Sequence, residues 1–258
     1  MQVPYIGLEN LLAHPDATVT ASSEAADHPI EMALDHFQDT TWQPDPESTG
    51  PWTVTLDLPG GEVDYLGLFA HRPQGLAVML EGYDESTQAW VELLDEALYA
   101  RACAWWLAST HQYDEFRLTF DGPATDFDLA DVRIGLRDAL PAGVQTGFPP
   151  PNQARNNRVI NSETDQGFFV GRTRIRRGIS TQLTIAQVAE NWVFANWEPP
   201  AEQPLADRLE LGTFYLGWAP QDLPEHVVLC WTRGPVAPAE YIETTGLMRL
   251  QLSVQGVQ

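Results

Sequence analysis

The chain has 258 residues, more than one usual domain, and its 43% hydrophobic content suits buried cores and argues against general disorder. Its 36 acidic residues face 14 basic ones, all arginines, for a net charge of −22. Residues 1–145 hold 25 Asp/Glu against 5 Arg, and residues 146–258 hold 11 against 9; so negative a first part repels phosphate backbones, and no nucleic-acid binding is expected.

In chain order, the opening MQVPYIGLENLLAHPD lacks the basic region and apolar core of a secretory signal, so synthesis and folding in a cytoplasm are expected. No apolar run reaches the ~18–20 residues of a spanning helix, so no membrane insertion is expected. Pro29–Leu34 predicts one short helix. Trp52-Thr-Val54-Thr-Leu56-Asp-Leu58 alternates with the two-residue period of a half-buried strand, Pro59-Gly60-Gly61 predicts a turn, and Val63–Ala70 a second strand. Further strands are expected at Leu76–Gly82, Trp90–Leu94, Glu115–Phe120 and Val132–Leu136, separated by clusters such as Asp84-Glu85-Ser86 and Asp121-Gly122-Pro123. Short strands with turns at this spacing describe a sandwich or barrel. Residues 138–157 contain four prolines, three consecutive at 149–151, which predicts a stiff interdomain linker over 141–157. The division expected is therefore 1–140, the linker, and 158–258.

Beyond it, Phe168–Gly171 and Thr173–Ile179 read as strands. Ile185, Val188, Ala189, Trp192 and Val193 fall at helical spacing and predict a helix over Leu183–Trp197, ended by Pro199-Pro200. Thr213–Trp218, His226–Trp231 and Leu247–Val254 complete the set as strands. Cys103 and Cys230 stand among apolar neighbours, far apart, and read as buried reduced thiols.

An enzyme needs a constellation that this sequence does not assemble. The six histidines (14, 28, 36, 71, 111, 226) show no HxH or HExxH spacing, and there is no GxSxG, P-loop or GxGxxG motif. The expectation is a non-enzymatic protein. An ordered series does stand out: Val19-Thr-Ala-Ser22-Ser23, Pro29-Ile-Glu-Met-Ala33-Leu-Asp35, Asp39-Thr40-Thr41-Trp42, Pro51-Trp52 through Leu58, Val63 through Leu68 ahead of Arg72, Glu85 through Trp90-Val91-Glu92, Tyr113-Asp-Glu-Phe116-Arg117-Leu118, and Leu129-Ala-Asp-Val132. Over residues ~8–137 this series resembles the discoidin, or coagulation factor 5/8 type C, domain. The resemblance implies an N-terminal galactose-binding-like β-sandwich; with the strands and helix read beyond the linker, the expected chain is all-β, that sandwich followed by a second, small β-rich domain with one helix. Trp42, Trp52 and Trp90 are expected to plug the sandwich between its sheets.

The same resemblance implies two sites. Sugar-binding relatives use the loops at one end, which points to Arg72, with Gln43 and His71 beside it; Gln43 stands where those relatives have histidine. A structural calcium would use Asp35, Asp39 and Thr40, but His36 replaces the family's glycine there, and no other cofactor is implied. In the second domain, Gly212 through Pro220 with Leu223 through Thr232 resembles segments of tail-tip proteins of long-tailed bacteriophages. That resemblance implies a virion structural protein of the distal-tail or minor-tail class, located at the tail tip. Its partners would be the tail tube, baseplate hub and tape measure, it would form a homo-oligomeric ring, and it would contact host-surface glycans. The alternative is a carbohydrate-binding module of a non-virion protein. Arg172, Arg174, Arg176 and Arg177 alternate as in a strand and read either as a solvated face or as a docking surface for an acidic neighbour.

Overall fold

Most of the alternating segments are strands in the computed structural model, which describes residues 3–35, 37–72, 76–122, 127–145, 147–176, 178–242 and 246–257. The chain clusters into two units: Tyr5–Ala139 with Pro220–Glu225, and Met1–Pro4, Leu140–Ala219 and His226–Gln258.

The N-terminal unit contains β1 (Tyr5–Gly7), β2 (Thr18–Ala21), β3 (Trp52–Ala70), β4 (Ala77–Asp84), β5 (Ala89–Ala97), β6 (Ala102–Asp121), β7 (Leu129–Gly135) and β8 (Asp138–Ala139). Short 3-10 turns lie at Leu11–Ala13 and Ile30–Ala33, the second where a helix was predicted. β2, β3, β6, β4 and β5 pair antiparallel in that order, β7 adds to β3, and β1 pairs with β8. Pro59-Gly60-Gly61 does not end a strand. It sits at a register shift between Asp57 and Gly61, a bulge inside the continuous β3, with a second shift between Val63 and Tyr65. Bulges bend and twist a strand. Before the first bulge, β3 pairs with β2 and with the end of β6; after it, β3 pairs with β7 and with the start of β6. The long strands thus turn from one layer of an antiparallel β-sandwich to the other. The first part of β6, unpredicted, is buried at Ala102, Cys103 and Ala104 in succession, so it shows no alternation.

One apolar cluster runs from Ile30 through Ile134. Trp42 and Trp52 are buried in it, packed on Phe127 with ring centroids 5.1 and 6.1 Å apart. Trp90 departs from expectation. It is half-buried on the outer side of β5, where the Arg117 guanidinium lies 4.2 Å from its ring and Tyr83 5.3 Å away. The alternation of β6 explains this, since Phe116, Leu118 and Phe120 point inward and Arg117 between them points out.

The C-terminal unit contains β9 (Arg158–Glu163), β10 (Phe169–Arg176), β11 (Ile179–Ala189), α1 (Glu190–Trp192) running into a π-helical turn at Val193–Trp197, α2 (Leu205–Glu210), β12 (Phe214–Gly217), β13 (Val227–Thr232), β14 (Glu240–Ile242) and β15 (Leu247–Val257). β11, β15, β13 and β12 form an antiparallel sheet, with β14 also on β15, while β9 and β10 pair with each other. The helix predicted over Leu183–Trp197 is a strand up to Ala189. A register shift between Ile185 and Val188, with Gln187 at φ 62°, places both Ile185 and Val188 inside. That bulge imitates a helical three-residue spacing within a strand. The proline-rich stretch is no free spacer either: Val144 bridges Ile185, Arg155 bridges Ile179, Pro151 is buried, and the Thr181 hydroxyl donates to the Pro149 carbonyl at 2.8 Å. A proline carbonyl still accepts, so the triplet can be tied down side-on without entering a sheet.

Candidate ligand-binding site

The loop that follows the 3-10 turn at Ile30–Ala33 is built on Asp35. Its Oδ1 accepts the Phe37 N–H at 2.8 Å, and the Thr40 hydroxyl lies 2.9 Å from both carboxylate oxygens and 3.0 Å from the Phe37 carbonyl. This is a side-chain-to-backbone turn closed by protein groups alone. His36 lies outside the described residues. Asp39 is exposed, and among the described residues no three His, Cys, Asp or Glu groups converge as metal ligands. Calcium favours six to eight oxygens, and Asp35, the carboxylate expected to lead them, serves the loop instead. The set Asp35, Asp39 and Thr40 does not fit a dedicated calcium cage.

That loop is latched to the end of β3. His71 Nε2 donates to the Gln38 carbonyl at 2.7 Å, so Nδ1 is the ring's acceptor and receives the Arg101 guanidinium at 2.5 Å. His71 therefore spends both ring nitrogens within the protein and braces the loop; it does not face a ligand as expected. Asp128, buried just before β7, accepts the backbone N–H of His71 at 2.8 Å and of Arg72 at 3.1 Å, and its other oxygen accepts Arg72 Nε at 3.2 Å. A buried carboxylate thereby orients a guanidinium whose side chain stays 50% exposed. The antiparallel Trp42–Leu129 bridge sets Gln43, the residue after Trp42, opposite Asp128; Gln43 Nε2 donates to the Thr41 hydroxyl at 3.3 Å.

Asp128 thus takes Arg72 on its carboxylate and has Gln43 opposite it in the bridge, and two residues were missed from the sequence. One is Asp128, whose role needs the pairing of distant segments. The other is Phe37, 64% exposed on the latched loop, which hydropathy alone does not distinguish from a core residue. A second concavity of about 610 Å³ in this unit is lined by Tyr5, Tyr99, Trp105, Trp106 and Arg137, but segment 220–225 already occupies its side: Gln221 donates to the Tyr5 hydroxyl and the Tyr99 hydroxyl to the Pro224 carbonyl. Of the arginines in the second unit, Arg172 donates to Asn161 Oδ1 at 2.7 Å and shares a strand face with Arg174; the register shifts before Arg176. Arg177 and the Arg176 side chain lie outside the described residues.

The chain is an all-β protein whose N-terminal half is an antiparallel β-sandwich. Among solved structures it is similar to the family 32 carbohydrate-binding module of Clostridium perfringens NanJ in complex with galactose (13% identity, TM-score 0.41, 47% of this chain and 93% of that one). It is also similar to a chitosan-binding module of a Paenibacillus chitosanase/glucanase (17%, 0.41, 49% and 98%). A putative α-L-fucosidase of Bacteroides thetaiotaomicron is matched over 49% of this chain and 28% of that one (19%, 0.43). No protein-family model and no curated protein matches the sequence.

Proposed function

We propose that the N-terminal unit is a non-catalytic carbohydrate-binding module, with its site at the rim formed by Arg72, Gln43 and Phe37. The observation that carries this reading is the half-exposed Arg72 held by the buried Asp128, with Phe37 exposed on the loop that the neighbouring His71 latches. A sugar presents hydroxyls on its edge and C–H groups on its face. Arg72 and Gln43 supply donors for the first, in a fixed orientation, and Phe37 supplies an apolar plane for the second. Of the two roles drawn from the sequence, this is the non-virion alternative. The tail-tip role rests on short aromatic strands of the C-terminal unit alone and gains no support from the fold or the comparisons.

Calorimetric titration of the whole chain with galactose, N-acetylgalactosamine-galactose disaccharide and chitosan oligosaccharides tests the proposal. At least one is expected to bind, and Arg72→Ala and Phe37→Ala each to weaken it roughly tenfold or more, a loss of about 1.4 kcal/mol, with an unchanged circular dichroism spectrum. Absence of binding across the panel, or binding indifferent to both substitutions, overturns it.

A further inference from the structure

Among the described residues β9 and β10 pair with each other and with no other strand. Residues 155–170 are exposed without a break, and Arg172, Thr173 and Arg174 are exposed after them. A two-stranded hairpin alone in water is marginally stable at best. This one also holds its apolar side chains in solvent: Phe168, Phe169 and Val170 are 65–66% exposed, and Val159 and Ile160 45% and 49%. Its turn is nonetheless well built. Gly167 takes φ 81° there, its N–H donates to the Thr164 carbonyl, and the Thr164 N–H donates to the Phe168 carbonyl, both at 2.8 Å. A well-made hairpin with solvent on both faces is a surface for a partner.

Charge indicates which partner. Residues 155–178 contain six arginines against only Glu163 and Asp165, within a chain of net charge −22. The matching surface is on the chain itself. Among the described residues β5 is an edge of the sandwich sheet, paired to β4 alone. Glu85, Glu92, Asp95 and Glu96 are exposed along the β4–β5 hairpin, and no basic residue lies between 76 and 100. Val91, also on β5, is 37% exposed. An acidic edge strand repels a copy of itself but accepts a basic strand.

We propose that the β9–β10 hairpin is an arm that docks on the acidic edge strand β5 of a second copy of this chain. Backbone hydrogen bonds across the new strand pair supply the join, and the apolar tip finds cover against Val91 and its surroundings. Arg172 and Arg174 meet the carboxylates of β5; exposed ion pairs add little energy each, so their part is to choose partner and register. The inference is independent of the glycan reading.

Sedimentation velocity of the full chain, from roughly 1 to 100 μM, tests it. Self-association is expected, weakened in ~1 M salt, where charges farther apart than about 3 Å are screened. Arg172→Glu with Arg174→Glu is expected to weaken it roughly tenfold or more, as is Glu92→Arg with Glu96→Arg, each with an unchanged circular dichroism spectrum. Mixing these two charge-reversed chains is expected to restore a complex. A chain monomeric throughout the range, association indifferent to salt and to the arginine reversal, or a mixture that fails to associate overturns the proposal.

Discussion

Two tryptophans with similar sequence surroundings have opposite environments, and the difference is measurable. Trp52 is 1% exposed, stacks on Phe127, and donates its indole N–H to the Ser48 hydroxyl at 2.9 Å. Its truncation to alanine is expected to cost ~3–5 kcal/mol, the range for large aromatic core deletions. Trp90→Ala removes only partial burial and one cation–π contact, worth roughly 1–2 kcal/mol together. Urea denaturation of both variants checks the ordering; equal losses would place Trp90 in the core after all. Cys103 yields a second prediction. Its thiol donates to the Ala100 carbonyl at 3.1 Å, and burial pushes its pKa from 9.0 up to about 11. The folded state therefore holds the proton more tightly than the unfolded state. This contribution to stability is fully present below pH ~9 and is lost as the pH rises from there towards 11. Ellman's reagent at pH 8 is expected to reach Cys103 only in denaturant, and fast reaction with the native chain would show the thiol to be accessible.

Among the elements, β15 is the strand on which the second unit depends, since it pairs with β11 and β13 and carries β14. Gly256 sits where it crosses Cys230 of β13, and a Cβ there would collide with the Leu229 carbonyl and meet the Cys230 Cα at 2.7 Å. Those atoms are backbone and cannot rotate away. Gly256→Ala is accordingly expected to destabilise the unit by about 1–3 kcal/mol, the usual cost of overpacking, read as a lower thermal midpoint. An unchanged midpoint would mean that β13 and β15 can separate without loss. At the same scale, the bulge in β11 shows how element type is misread. Skipping one residue turns the period of two into a step of three, which a search for amphipathic helices accepts.

Over the whole molecule, charge is distributed as the sequence indicates, but its consequence depends on the fold. The acids of residues 1–145 are not all solvated. Asp131 and Arg133 form a buried pair at 3.0 Å, Glu81 accepts Arg117, Asp128 orients Arg72, and Arg137 lies 3.4 Å from Asp64, so four of the first part's five arginines are engaged with its carboxylates. Much of the remaining negative charge is on the surface, notably on β5, while Arg158, Arg172 and Arg174 are exposed on one hairpin. An acidic sheet edge and a basic arm in one chain oppose mutual repulsion of copies and favour their association.

The sequence by itself determined the all-β class, most of the strands, the buried cysteines and the core positions of Trp42 and Trp52. All of these follow from local alternation or from an ordered motif series, both of which are properties of neighbouring residues. Tertiary structure alone decided the rest. Strand continuity through Pro59-Gly60-Gly61 depends on β6 lying alongside to pair across the bulge. Asp128 becomes the anchor of Arg72 only because β7 pairs with β3, more than fifty residues earlier. His71 turns from ligand group to brace because Gln38 and Arg101 close on its two nitrogens from separate segments. Burial, tautomer and ion-pair partner are set by what packs across from a residue, and a linear pattern carries no record of that.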